Sequence, residues 1–217
     1  GSYCYMFANS RGLLSPPELP CREMAPYCYY WMFEGCSNLS YAPELPARKL
    51  ATSCYNSMFM YCTSITAPPQ LPATTLENSC YEGMFKNCSS IKDLSGWELP
   101  ATTLAERCYY AMFRESGIGG VPHLPATTLA KYCYGCMFYQ CYQLTDLSDV
   151  FFPDVTLAPS CYYQMFYECK NVVSAPEILP ARVLASSCYY GMFMYCRMLE
   201  KAPVLPAAVL EAGCYRS

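Results

Sequence analysis

Apolar residues recur along the chain in a fixed order, with a period of 25 to 28 residues. Each repeat carries a Met-Phe pair and a Leu-Pro pair, the latter replaced once by Phe152-Pro153. The distance from Leu-Pro or Phe-Pro to the next Met-Phe is always 13 residues, whereas the distance from Met-Phe to the next Leu-Pro varies from 12 to 15. Such a period is typical of proteins built by stacking one small unit. We therefore expect one half of each copy to be constant and the other to accept insertions.

The constant half has the apolar pattern of an amphipathic helix. In one copy its apolar positions are separated by steps of four, one, three, one and three, at Leu76, Cys80, Tyr81, Met84, Phe85 and Cys88. Steps of three and four place side chains on one face of a helix. Pro72, with a capping box from Thr74 to Glu77, supplies an N-terminal signal. The pattern predicts a short helix in each copy.

The variable half has the character of a short strand. In the second copy it begins at the aliphatic Leu39 and ends at Leu45-Pro46. Prolines such as Pro43 and Pro68 recur inside it, and each removes a donor that a parallel ladder would use. We therefore expect strands of two or three residues with gaps between them. Together the halves predict an α/β solenoid of about eight repeats, a single domain over 1–217, with short parallel strands on one side and short helices on the other.

One motif carries a resemblance to a known family. The string Phe33-Glu-Gly-Cys36-Ser-Asn-Leu39, followed by an apolar strand ending at Leu45-Pro46, resembles the BspA-type leucine-rich repeats of bacterial surface proteins. The resemblance implies a right-handed, leucine-rich-repeat-like superhelix, an extracellular or cell-surface location, and an adhesive or ligand-binding role. On this interpretation the chain is a fragment of a longer surface protein. The fifth copy departs from the pattern, because Ser116 replaces the second cysteine and several glycines follow it.

Charge and hydropathy exclude two classes of partner. The net charge is −3 and only 14% of residues are charged, so the basic face that neutralises phosphates is missing and we expect no nucleic-acid binding. No apolar run approaches the roughly 20 residues that span a bilayer, so we expect no membrane insertion by this segment.

The 17 cysteines favour buried thiols over disulfides. Six copies contain two cysteines eight residues apart, such as Cys80 and Cys88. On a helix these lie about 12 Å apart, beyond the reach of a disulfide. Stacked copies would point their cysteines in parallel into the core, where a free thiol packs as a small hydrophobe. Cys133 and Cys136 form the one Cys-x2-Cys pair, which is half of a zinc site. Cys136 lies outside the repeated columns, and we predict that it is exposed.

The sequence offers little for catalysis. Histidine occurs once, at His123, so a metal set or a catalytic pair would have to be built around that residue alone. The chain contains neither of the glycine-rich motifs that bind phosphate groups, Gly-x-Gly-x-x-Gly and Gly-x4-Gly-Lys. The acidic residues Asp146, Asp149 and Asp154 match no calcium-loop spacing, which favours a solvated insertion. We therefore predict a protein that is not an enzyme and that uses no cofactor and no metal.

The variable half is where we expect binding, because extended repeat surfaces bind partners and the insertions fall on this side. The candidate binding residues change from copy to copy and are Tyr41, Glu44, Gln70, Trp97, Glu98, His123, Asp149 and Glu177. Trp97 is either an exposed hot spot or a filler of a two-residue insertion. The favoured function is an adhesion module that recognises a host or matrix protein. The alternatives are a passive spacer and a glycan-binding module that would need Trp97 and Tyr41 in one groove.

Overall fold

Each repeat forms one coil of a continuous stack. The computed structural model describes residues 2–94 and 96–216. Backbone hydrogen bonds join each coil to the next at the repeat spacing. The N–H of Tyr29, for example, donates to the carbonyl of Cys54 at 2.9 Å, and the same bond recurs from coil to coil along the chain. The stack is therefore held by hydrogen bonds between coils as well as by its core.

The predicted helices are absent, and this part of the fold prediction is wrong. The described residues contain no helix, and so none that could cross a membrane. The segment 77–88, which the sequence assigned to a helix, is a series of β-turns. The N–H of Cys80 donates to Glu77 three residues back at 3.2 Å, while the N–H of Ser79 donates to Glu106 of the next coil at 2.9 Å. Donors alternate between these two directions, so half of them bind the neighbouring coil. We call such a segment a turn segment.

A left-handed residue at every fourth position creates this geometry. In the segment 77–88 these residues are Ser79, Gly83 and Asn87, with φ of 54°, 62° and 61°. Side chains without a left-handed preference, such as Trp31 and Ala111, adopt the same conformation in their own coils. That conformation costs roughly 1–2 kcal/mol at each non-glycine position. The hydrogen bonds between coils and the buried core offset this cost, since a turn segment buries two adjacent side chains in every four residues.

The predicted strands are also wrong, because only isolated bridges form among the described residues. All of the bridges are parallel, and they join Glu23 to Lys49, Thr75 to Thr103, Thr103 to Thr128, Asp146 to Ser174, Ser174 to Lys201, Ile178 to Val204 and Val183 to Val209. Several bridged residues, including Thr75, lie where the sequence placed the start of a helix. Prolines interrupt the remainder of the variable half, since they supply no N–H to a neighbouring coil. We call this interrupted part of each coil the proline segment.

Stacked aromatic rings, rather than leucines, dominate the core. A leucine-rich-repeat architecture is therefore not what this chain forms. One ladder consists of tyrosines whose neighbouring ring centroids lie 5.6 to 5.9 Å apart, from Tyr29 to Tyr215, and a parallel ladder of phenylalanines runs from Phe7 to Phe193. The hydroxyls of two ladder residues, Tyr55 and Tyr134, are buried and have no hydrogen-bond partner among the described residues. Ring stacking therefore decides their position.

Two columns of cysteines line the core, and all 17 cysteines are free thiols. In the second column each thiol donates to the carbonyl of a phenylalanine in the preceding coil. The Sγ of Cys62 lies 3.0 Å from the carbonyl oxygen of Phe33, and the same contact at 3.0 to 3.1 Å is made by Cys36, Cys88, Cys141, Cys169 and Cys196. The predicted burial of the thiols is thus confirmed for these columns, where a thiol also satisfies a buried carbonyl.

Native alkylation should distinguish these thiols. At pH 8, iodoacetamide should label Cys21 first, because Cys21 is exposed, and then more slowly Cys4, which is half-buried. The other thiols are buried, so they have little access to the reagent. Intact-mass spectrometry would count the labels, and denaturant should release all 17. Rapid native labelling of Cys62 or Cys88 would contradict the thiol columns.

Candidate functional site

The proline segments of the first three coils form an open surface. We call this surface, made by residues 15–22, 41–48 and 67–74, the proline face. No backbone hydrogen bond joins these segments to one another in the described structure. The physical reason is the recurrence of proline, which leaves the carbonyls of the facing segment without a backbone donor. Adjacent coils therefore separate here and leave grooves.

Two adjacent grooves cross the proline face. The first has a volume of about 570 Å³ and is lined by Pro16, Pro17, Glu18, Leu19, Pro20, Arg22, Tyr41, Pro43, Glu44 and Pro46. The second, of about 280 Å³, is lined by Ala42, Glu44, Leu45, Pro46, Pro69, Gln70 and Pro72. Glu44 and Pro46 of the middle segment line both grooves, which therefore lie side by side across three coils, and we call the two grooves together the channel. The buried side chains of Leu19 and Leu45 lie beneath it.

Charged groups on this channel are free of internal partners. Glu18, Arg22 and Glu44 form no ion pair and no side-chain hydrogen bond among the described residues. Two carboxylates and one guanidinium give the channel a net negative charge. Charged groups without internal partners remain hydrated until a binding partner replaces the water. This is expected of the polar rim of a binding site that surrounds an apolar floor.

The indole of Trp97 shows that a carbonyl of the proline face can accept a hydrogen bond from an N–H group. Its Nε1–H donates to the carbonyl oxygen of Pro69 at 2.8 Å, in the neighbouring coil. The ring also packs edge-on against Phe113, with centroids 5.5 Å apart. The side chain is only 5% exposed. Trp97 therefore fills the two-residue insertion, as one of its two interpretations predicted, and offers no surface for a partner.

The structure brings some of the predicted binding residues together and separates others. Tyr41, Glu44 and Gln70 line the channel, and Tyr41 is 53% exposed. Asp149 and Glu177 line a separate groove of about 190 Å³, beside the hydrophobic side chains of Phe151 and Ile178. Glu98 and His123 are exposed and line neither groove. A binding role for each of these exposed residues stays a prediction.

Sequence reasoning missed other members of the site. The prolines, Glu18 and Arg22 were not selected, although the recurrence of proline without N–H was a usable signal. The expectation that Cys136 is exposed was wrong, because it is 2% exposed. It occupies a left-handed position, with its Sγ 3.5 Å from the hydroxyl of Tyr110 and 3.9 Å from Oε1 of Gln164 in the adjoining coils. Burial raises the pKa of this thiol despite its proximity to arginines.

Comparison of the chain with family models, with curated proteins and with solved structures found no match. The described residues contain no cluster of three or more side chains suited to a metal ion.

Proposed function

We propose that the chain is a non-enzymatic binding module that holds an extended polypeptide segment in the channel of the proline face. The observation that carries this proposal is the placement of Tyr41, Glu44 and Gln70 on two adjacent grooves that share Glu44 and have buried leucines as their floor. An aromatic side chain beside a desolvated floor and a polar rim is the usual composition of an interface hot spot.

A polypeptide fits this channel because it carries backbone N–H groups. The facing proline segments leave carbonyls without backbone donors, and the bond from Trp97 to Pro69 shows that such a carbonyl accepts an N–H. The unpaired carboxylates of Glu18 and Glu44 favour a segment that carries lysine or arginine. An alternating basic and apolar segment would place its cations on the rim and its apolar side chains toward the floor.

The proposal includes a location at a bacterial cell surface, where the bound segment belongs to a host or matrix protein. This part rests on the sequence resemblance alone. A glycan-binding role through Trp97 and Tyr41 together is not favoured, since the indole of Trp97 is buried. A passive spacer needs no exposed aromatic residue on this side, whereas Tyr41 is exposed on the channel.

A pair of labelled peptides tests the proposal. Fluorescence anisotropy would compare a fluorescein-labelled eight-residue peptide, Lys-Leu repeated four times, with a twin in which Glu replaces Lys. We expect the basic peptide to bind at least about tenfold more tightly, and to weaken as salt is added. Glu44→Gln and Tyr41→Ala should each weaken it by about fivefold or more, the loss of roughly 1 kcal/mol.

Glu106→Gln is the matched control, because Glu106 is exposed and lies outside the channel. It removes the same charge as Glu44→Gln and should leave the affinity unchanged. Equal affinity for the two peptides, or equal losses in the two Glu variants, would overturn the assignment to the proline face. Absence of binding by both peptides would favour the spacer.

A further inference from the structure

The fifth coil is shorter than its neighbours at one point. In the fourth and sixth coils two residues separate the second cysteine from the following aliphatic residue, as in Cys88-Ser-Ser-Ile91 and Cys141-Tyr-Gln-Leu144. In the fifth coil Gly117 alone separates Ser116 from Ile118. We call this point of each coil the corner. A shortened corner between two full ones leaves a gap in the surface of the stack.

The gap is a notch of about 480 Å³. Its walls come from the corners of the fourth and sixth coils, and its base is Ser116-Gly117. The base is held inward because Gly117 donates its N–H to the carbonyl of Cys88 at 3.3 Å. Ser116 is buried, and its Oγ lies 3.7 Å from the Sγ of Cys141. The notch is therefore a fixed consequence of the deletion.

Polar side chains without internal partners line the notch. The amide nitrogen of Asn87 is buried and donates no hydrogen bond. Ser89, Lys92 and Gln143 make no side-chain hydrogen bond among the described residues. The terminal torsion of an asparagine is broad and nearly two-fold, so the amide of Asn87 can present either its oxygen or its nitrogen to a ligand.

The charges of the notch favour a neutral ligand. Lys92 contributes one cation and Glu115 one carboxylate, and the carboxylate is already bound by Arg114 at 2.8 Å. A lone cation is a weak basis for holding a phosphate, which proteins bind through several donors. The ring of Tyr142 adds an apolar surface. The ammonium of Lys170 lies over this ring, 4.8 Å from its centroid, and is already bound by the carboxylate of Glu168 at 3.0 Å. Amides, hydroxyls and one ring suit a ligand that both donates and accepts at many points.

We propose that this notch binds one neutral sugar residue of a glycan. Ring hydroxyls would pair with Asn87, Ser89 and Gln143, while the C–H face of the sugar would cover the part of the Tyr142 ring that Lys170 leaves free. The volume lies within the range of about 300–1,000 Å³ that is usual for small-molecule sites. The notch shares no residue with the channel of the proline face, so this site does not depend on the proposed peptide binding.

Saturation-transfer NMR and isothermal titration with free glucose, galactose, mannose and N-acetylglucosamine would test the site. At least one sugar should bind, with a Kd on the order of 1–10 mM, the affinity of a single small polar ligand. Gln143→Ala and Tyr142→Ala should each weaken it by about fivefold or more. Ser89→Trp, at an exposed position on the wall, should fill the notch and abolish binding.

Gln70→Ala, on the proline face, is the control and should leave sugar binding unchanged. Thermal unfolding of each variant separates a lost site from a lost fold. Failure of all four sugars to bind at 50 mM would overturn the proposal, as would binding that survives Ser89→Trp. Preferential binding of inorganic phosphate or of glucuronate would show an anion site instead, and would also overturn it.

Discussion

Raising the pH from 8 to about 10 should unfold the whole stack in one steep transition. Burial raises the pKa of fourteen cysteines above the ordinary value of 9.0: Cys28, Cys36, Cys54, Cys62, Cys80, Cys88, Cys108, Cys133, Cys136, Cys141, Cys161, Cys169, Cys188 and Cys196. The pKa rises to about 12 for Cys54 and to about 11 for Cys196. These thiols stay protonated in the folded chain at a pH where the unfolded chain ionises.

The sign of the effect follows from proton binding. A group whose pKa is raised by folding gives its full stabilisation below its unfolded pKa, and this stabilisation is lost as the pH rises toward the folded pKa. One pH unit above the unfolded pKa, a thiol that is still protonated in the folded chain favours unfolding by about 1.4 kcal/mol. The eleven thiols whose pKa is raised furthest, which are all of these except Cys28, Cys36 and Cys136, therefore oppose folding by on the order of 15 kcal/mol. That is comparable with the whole stability of roughly 10–30 kcal/mol expected for a chain of this length. Buried tyrosines, including Tyr29 with its pKa raised to about 12, add to the effect at higher pH.

Circular dichroism and tyrosine absorbance, followed from pH 7 to 11 with reductant present, would measure the transition. Return to pH 7 should restore the folded signal, which separates titration from chemical damage. Cys21→Ser is the control, because Cys21 is exposed and its removal should leave the midpoint in place. A chain that stays folded at pH 11 would show that the thiols are not protonated core residues.

The sequence identified the buried positions of the turn segment but not its backbone. Cys80, Tyr81, Met84 and Phe85 were placed on one face, and all four are buried. A helix of 3.6 residues per turn and a turn segment with a period of four bury nearly the same residues over so short a stretch. The difference between a period of 3.6 and a period of four residues accumulates slowly along the chain. The residue types at the left-handed positions are not distinctive either, since they include Trp31, Arg107 and Gln164 as well as glycine. Hydrogen bonding between coils decides whether the segment forms a helix or a turn segment. The sequence of a single repeat does not reveal this hydrogen bonding.

The candidate site could be predicted only in part from the sequence, because it also depends on how neighbouring coils meet. Variation from copy to copy selected Tyr41, Glu44 and Gln70, which the fold brings onto one channel. The same criterion selected Trp97, whose burial depends on a carbonyl of Pro69 in another coil. Variation marks positions outside the repeated core, but whether such a position is exposed depends on how the coils separate. The absence of proline N–H groups determines that separation, and this was visible in the sequence.

Replacing one glycine by alanine should cost several kcal/mol, because the fifth coil has no space for a methyl group. A Cβ on Gly117 would overlap the carbonyl oxygen of Ser89, and would lie 2.8 Å from its carbonyl carbon and 3.1 Å from the carbonyl oxygen of Ile91. These are backbone atoms, so they move only if the fourth coil moves. Overpacking usually costs about 1–3 kcal/mol, and we expect Gly117→Ala to lie at or above the upper end.

The loss should appear as a fall in Tm of about 6–12 °C, from roughly 2–4 °C per kcal/mol at this chain length. Gly120→Ala is the matched control, three residues further along the same coil, where a Cβ meets no atom within 4 Å. It should leave the Tm nearly unchanged. The effect should also reach beyond the substituted coil, because each coil of a stack is stabilised only by its two neighbours. Hydrogen exchange should therefore accelerate in the fourth and sixth coils of Gly117→Ala. Equal Tm values for the two variants would show that the corner at Gly117 is looser than this close approach to Ser89 requires.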